Sequence, residues 1–275
     1  MKKLTNLHHL HWLISKFANL LILLLIFAGC SKDKNQPEAP ATTQVNRDEV
    51  KEYIQLTTQK SSVTLRIEAA KEDEKAVWID LNGNNKWEEG IDIAVTNFGE
   101  ETYSLKANTF RIYGKVSLLK CDGNDISAIA LHNPYLEDFR ASGNKLQSLN
   151  IPDNDNLRIL YIDFNPLSSL TLGKLPHLKV LGLETTLLST LALGGYPNLE
   201  ELVVSSTPIT QLNVSANTKL NRVGIGRHNG EGLIGAALKA FAESLHSNGG
   251  EIFLSDDQKT PEILGILGGK KWRVQ

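Results

Sequence analysis

With 275 residues, 41% of them hydrophobic and 22% charged, the chain is long enough for one or two domains with a proper core, and its composition is ordinary for a folded protein. Its 31 acidic side chains outnumber 29 basic ones, and three of the bases (Lys2, Lys3 and Lys16) precede Cys30. A mildly acidic body argues against nucleic acid as the main partner, because phosphate binding needs a net basic face.

Residues 17–28, FANLLILLLIFA, follow a stretch with lysines and no acid. A positive start, a short apolar run and small residues at its end read as an export signal. The run is shorter than the ~20 residues of a spanning helix. Phe27-Ala28-Gly29-Cys30 resembles the lipobox of bacterial lipoproteins, with phenylalanine where leucine is usual. That resemblance implies a signal peptide over 1–29 and lipidation at Cys30. Residues 30–46 are polar and proline-bearing without apolar periodicity, which predicts a disordered tether. The other cysteine, Cys121, falls at an apolar position, so no disulfide is expected.

Residues 47–113 read as a β-rich N-terminal domain. VTLRIEA alternates, placing Val63, Leu65 and Ile67 on one face, and AVWIDL, IDIAV and TFRIYG are further strand candidates. Between two of them, Asp80, Asn82 and Asn84 set oxygen side chains at alternate positions, with Glu88 or Glu89 placed to complete a shell. Asp80, Asn82, Asn84 and Glu89 are therefore the candidate metal residues, with calcium as the one cofactor considered. The fit to an EF-hand is partial, since Asn85 stands where the turn glycine belongs and Ile91 where the bidentate acid belongs. The competing reading is a polar hairpin turn.

Residues 114–230 carry a repeat. Segments starting at Leu136, Leu157, Leu178 and Leu199 share a 21-residue register; a 20-residue copy starts at Val116 and a broken one at Leu220. Counting from those starts, position 4 reads Leu119, Phe139, Leu160, Leu181, Leu202 and Val223, and position 6 reads Cys121, Ala141, Ile162, Leu183, Val204 and Ile225. Positions 4 and 6 alternate with polar neighbours, as on the inward side of a short strand. Position 9 reads Asn124, Asn144 and Asn165, then Thr186, Thr207 and His228; an asparagine there can bond backbone groups inside a turn. The pattern LxxLxLxxNxL is the signature of leucine-rich repeats. It predicts an α/β fold class: a leucine-rich-repeat solenoid of short parallel strands with a mostly irregular convex side.

Residues 231–275 read as an α/β C-terminal cap. Ile234, Leu238, Phe241 and Leu245 recur at helical spacing, Asn248-Gly249-Gly250 stops that helix, EIFLS is a strand, Thr260-Pro261 opens a second helix, and KKWRV is a last strand. Together, the VWIDLNGN and RIYG stretches, the 21-residue repeats and the KKWRV end resemble leucine-rich-repeat surface lipoproteins of Gram-negative bacteria, and more loosely internalin-like adhesins. The resemblance spans most of residues 60–275. It implies an exported protein, lipid-anchored to the outer membrane and surface-exposed, that binds a protein ligand.

No HExxH, GxSxG, P-loop or CxxC is present, and no catalytic set emerges, so an enzyme such as a hydrolase is not expected. What remains is surface. On the concave side, Ile159, Tyr161, Phe164, Val180 and Val203 form an apolar patch, with Asp163, Glu184 and Glu201 as acids around it and Arg140 as a base. An apolar patch rimmed by charge marks an interaction site. The expected function is that of a cell-envelope lipoprotein acting as a protein-binding or adhesion module. The alternative is an accessory glycan-binding or structural envelope protein, for which the concave face offers only two aromatics.

Overall fold

The computed structural model describes residues 45–228 and 230–275. Cys30, the export signal and the tether up to residue 44 lie outside the described residues. No helix among the described residues is long and apolar enough to cross a membrane.

Among the described residues, seventeen strands build three sheets. An antiparallel sheet comprises β1 (Tyr53–Thr58), β3 (Trp78–Asp80), β4 (Ile93–Ala94), β6 (Thr109–Tyr113) and β8 (Ile126–His132), in the order β4-β3-β6-β1-β8. The largest sheet has ten strands. Two come from the N-terminal part, β2 (Ser62–Ala69) and β5 (Glu100–Ser104). Six repeat with the sequence period: β7 (Val116–Lys120), β9 (Asp138–Arg140), β11 (Ile159–Tyr161), β13 (Val180–Gly182), β14 (Glu201–Val203) and β15 (Arg222–Gly224). The last two are β16 (Gly250–Phe253) and β17 (Trp272–Val274), and the order is β17-β16-β15-β14-β13-β11-β9-β7-β2-β5. A short parallel pair, β10 (Ser148–Ile151) with β12 (Ser169–Leu172), forms the third sheet. Among the described residues helix is confined to α1 (Gly235–Ser244), α2 (Pro261–Gly269) and three short 3₁₀ turns.

This corrects the expected fold class. The chain is mostly β, with one mixed and one antiparallel sheet, rather than an α/β leucine-rich-repeat solenoid. The cause lies at the start of the repeat. The first periodic strand, β7, pairs antiparallel with β2, which pairs antiparallel with β5. The next segment of the same repeat, β8, leaves for the other sheet and pairs with β1. The first repeat is thus shared between two sheets, and β2 continues the ten-stranded sheet in the opposite sense, with β5 reversing again at its edge. The segments between β9 and β15 carry prolines at 152, 176 and 197 and form no α-helix; helices intervene only between the last parallel strands, β15, β16 and β17.

Within that sheet the period sets the register. Phe139, Leu160, Leu181, Leu202 and Val223 stand side by side on adjacent strands and are fully buried. The position-6 side chains from Cys121 to Ile225 are buried beneath them. Each such leucine contributes roughly 1.5–3 kcal/mol on burial. Residues 45–275 form one compact unit, and a continuous core runs from Ile54 to Trp272.

The position-9 asparagines bridge neighbouring repeats. Asn144 Oδ1 accepts from the backbone N–H of Asn124 and of Ile126, while its Nδ2 donates to the carbonyls of Cys121 and Ala141, all at 3.0 Å. One repeat on, Asn165 Oδ1 accepts from Leu146 N–H and its Nδ2 donates to the carbonyls of Ala141 and Ile162. Thr186 and Thr207 are too short to bridge, and each donates only to a carbonyl three residues back, Leu183 or Val204. A second set went unread in the sequence. Asn154 donates to the Leu136 carbonyl and accepts from Leu157 N–H; Asn217, three periods later, donates to the carbonyls of Leu193 and Tyr196. Their common position in the repeat was the available signal.

At the C-terminal end α1 buries Leu238 and Phe241. The Thr260 side chain caps α2 by accepting from Ile263 N–H, with Pro261 in its first turn.

Candidate functional site

One side of each periodic strand faces the core, so the other displays three rows of side chains across the ten-stranded sheet. The first row runs Leu118, Asp138, Ile159, Val180, Glu201, Arg222, Glu251, Arg273. The second runs Lys120, Arg140, Tyr161, Gly182, Val203, Gly224, Phe253. The third holds the residues two further along, among them Asp122, Asp163, Glu184, Ser205 and Gly226. Strands lie ~4.8 Å apart, so direct neighbours in a row touch.

The expected site residues are thereby brought together. Ile159 and Val180 are register partners and half-buried, and Tyr161 and Val203 flank Gly182. Tyr161 differs from expectation in its posture. Its ring lies across Gly182, where a Cβ would overlap it, and its hydroxyl comes within 3.4 Å of Glu201 Oε1, two strands away. The Arg140 guanidinium sits 5.3 Å from the ring centroid and forms a two-point pair with Asp138, both contacts 2.9 Å. Cation, ring and carboxylate thus form one lateral chain, whose ring is pinned rather than free. Burial, ahead of the nearby Glu201 charge, pushes the Tyr161 phenol up from its ordinary value.

Phe164 lies past the end of β11, with φ 54° and 54% exposure. The same repeat position is left-handed in every copy from the first to the fifth: Gly123 and Gly143, then Phe164, Thr185 and Ser206. Glycine takes that conformation freely, whereas other residues are strained in it by about 1–2 kcal/mol.

Asp163 Oδ1 accepts from Glu184 N–H at 2.7 Å, and Oδ2 lies 3.4 Å from Ser142 Oγ. Burial raises its carboxyl above the ordinary 3.8; the Glu184 N–H works against that shift and the Glu184 charge adds to it. For an acid raised in the folded state, the stabilising term is complete below the unfolded pKa and is lost as pH rises through the folded one. Asp163→Asn keeps the oxygen acceptor and removes the ionisation. Its stability relative to the unmodified chain should therefore rise as pH increases through the carboxylate range. Urea unfolding at several pH values measures this, and a fall over the same interval would refute the assignment.

The candidate metal residues fall in the loop between β3 and β4. Asp80 is fully buried, and its carboxylate accepts from the backbone N–H groups of Gly83, Asn84 and Asn85. Arg111, on β6, stands 3.8 Å from it as counter-charge. The acid drawn inward is Glu88, which accepts from the amides of both Asn82 and Asn84 at 2.6 Å. Glu89 is exposed, so its place in the expected set is corrected: residue 88, not 89, faces the asparagines. Asp92 was missed. It is buried and accepts from Leu81 and Glu88 N–H, one residue beyond the position where an EF-hand template places its last acid. Burial raises its carboxyl, with the Asp80 and Glu88 charges adding. Among the described residues no three or more His, Cys, Asp or Glu side chains are grouped to hold a metal ion. The contacts account for the loop as a turn closed on a buried aspartate.

Cys121 is fully buried, and burial pushes its thiol well up, which leaves it a core side chain. No protein-family model matches the chain, and no curated protein matches it.

Proposed function

We propose that the chain is a cell-envelope lipoprotein whose open sheet face binds a protein partner, centred on Tyr161. The observation that carries this reading is the contiguous apolar patch of Ile159, Val180, Tyr161 and Val203 on three adjacent strands, bordered by Asp138–Arg140 on one side and Glu201–Arg222 on the other. Such a centre with a charged rim is the anatomy of a recognition surface. Phe164 adds support. An exposed phenylalanine held where the first two repeats use glycine gives up stability, and strain of that kind concentrates at functional positions.

The test is capture of a partner from intact cells by the full-length chain, followed by affinity measurement on whatever is captured. Tyr161→Ala should weaken binding by about 2 kcal/mol or more, as for a central aromatic. His177→Ala, exposed and outside the sheet, should leave affinity unchanged. An affinity that responds to His177→Ala and ignores Tyr161→Ala would place the site elsewhere.

The apolar run ending in Ala28-Gly29-Cys30 supports export and lipid attachment. Cys30→Ser should release the protein from the membrane fraction or leave it unprocessed. A processed, membrane-bound mutant would remove the anchor from the reading.

A further inference from the structure

Past the Tyr161 patch, towards the C-terminal end of the sheet, the second and third rows lose their side chains at Gly224 and Gly226. Two joined hollows, about 260 and 280 Å³, lie over these glycines, and both are lined by Glu184, Ser205 and Phe253. Val203 walls one hollow and Leu254 the other. Arg222 stands at the rim, its guanidinium 5.3 Å from the Phe253 ring centroid. The groove therefore has a glycine floor, apolar walls in Val203, Phe253 and Leu254, and one carboxylate common to both halves; Arg227, His228 and Ser255 also line the larger hollow, with the Arg227 guanidinium turned to Asp257 and the Gly230 carbonyl.

Charge decides what fits. Elsewhere on this face the charges are matched: Asp138 by Arg140, Glu201 by Arg222, Glu251 by Arg273, Asp122 by Lys120 and Asp257 by Arg227. Asp163 and Glu184 are neighbours with no cation within ion-pair distance among the described residues. Glu184 projects into the groove, where a cation would answer its carboxylate. The apolar walls of Val203 and Phe253 suit the aliphatic stem that carries a lysine or arginine head.

We propose that this groove seats a lysine or arginine side chain of the partner protein, with its charge against Glu184 and its stem over Gly224 and Gly226. The assignment rests on the sheet face being the binding surface, and adds the chemistry of one partner residue.

The probe is a capped hexa-arginine peptide titrated into the full-length chain at about 20 mM salt, where surface charges are little screened. Capped hexaglutamate and maltohexaose are run beside it. A Cβ at Gly226 meets its nearest atom at an ordinary 3.6 Å, so Gly226→Leu fills the groove without clashing at its base. Hexa-arginine should bind, and Gly226→Leu and Glu184→Gln should each weaken it at least about fivefold, roughly 1 kcal/mol. Glu89→Gln, in the remote Asp80 loop, should change it less than about twofold. Glu184→Lys, at a half-exposed position that tolerates the change, should abolish hexa-arginine binding even if Gly226→Leu proves unstable.

Hexa-arginine binding indifferent to both groove variants overturns the proposal, as does no binding at about 1 mM, a millimolar dissociation constant being only ~4 kcal/mol. Groove-sensitive binding of hexaglutamate or maltohexaose in its place overturns the basic occupant. A captured partner that needs Tyr161 but ignores Glu184→Gln and Gly226→Leu sinks this assignment and leaves the sheet-face reading standing.

Discussion

Leu181→Ala should cost the chain roughly 2–5 kcal/mol of stability, the range for a buried leucine truncated to a cavity. Leu181 is fully buried in the middle of the ten-stranded sheet, between its register partners Leu160 and Leu202. Strands with one such residue on either side cannot move sideways to fill the void without breaking their own ladders, so the cavity stays open. The neighbouring residue provides the control. Val180 points to the other face and is half-exposed, so Val180→Ala should cost less than about 1 kcal/mol. Urea unfolding of the pair reads the alternation directly. Costs of similar size at 180 and 181, or a Leu181→Ala cost within ~0.5 kcal/mol, would show that the strand register is wrong.

That alternation was legible because it is local. A 21-residue period with apolar positions 4 and 6 fixes which side chains face inward, and it also fixed the neighbours of Tyr161 across the sheet. The sequence was silent where contacts join segments outside the period. YIQLTT, the strand β1, alternates Ile54, Leu56 and Thr58 as buried residues, but its outward positions and Thr58 are polar and nothing nearby marks it as a strand. EETYS, the edge strand β5, buries only Tyr103. The pairing of β2 with both β5 and β7 made the sheet mixed, and such pairing is a property of distant partners.

The same limit governed the sites. Phe253 joins the row of Tyr161 and Val203, but it follows Gly224 by more than one period because α1 intervenes, so counting by 21 passes over it. The groove depends on what Gly224 and Gly226 lack, and a repeat pattern written in apolar positions does not register an absent side chain. Gly182 likewise reads as a gap until the Tyr161 ring is seen lying in it.

Asp80→Ala should be among the most damaging single changes. Three backbone N–H groups, from Gly83, Asn84 and Asn85, converge on this carboxylate, and among the described contacts only the Asn84 N–H has a second acceptor, Asn82 Oδ1 at 3.1 Å. A donor left unpaired costs about 1–3 kcal/mol where it is buried, and less at the exposed Asn84 and Asn85, where water can replace the carboxylate. Arg111, with a side chain only 16% exposed, would lose its counter-charge as well. The expected loss is therefore at least ~3 kcal/mol. Asp80→Asn separates the two causes, because its Oδ1 can still accept from Gly83 and Asn84 while the charge facing Arg111 is gone. It should fall between the unmodified chain and Asp80→Ala. Equal costs for the two variants, within ~0.5 kcal/mol, would mean that the N–H bonds carry none of the loss. Melting the unmodified chain with calcium and with EDTA decides the remaining reading of the loop. The three N–H groups and Arg111 already satisfy Asp80, so the two melts should coincide. A calcium-dependent rise that disappears in Asp80→Ala would instead give the oxygens of Asn82, Asn84, Glu88 and Asp92 a cation to hold.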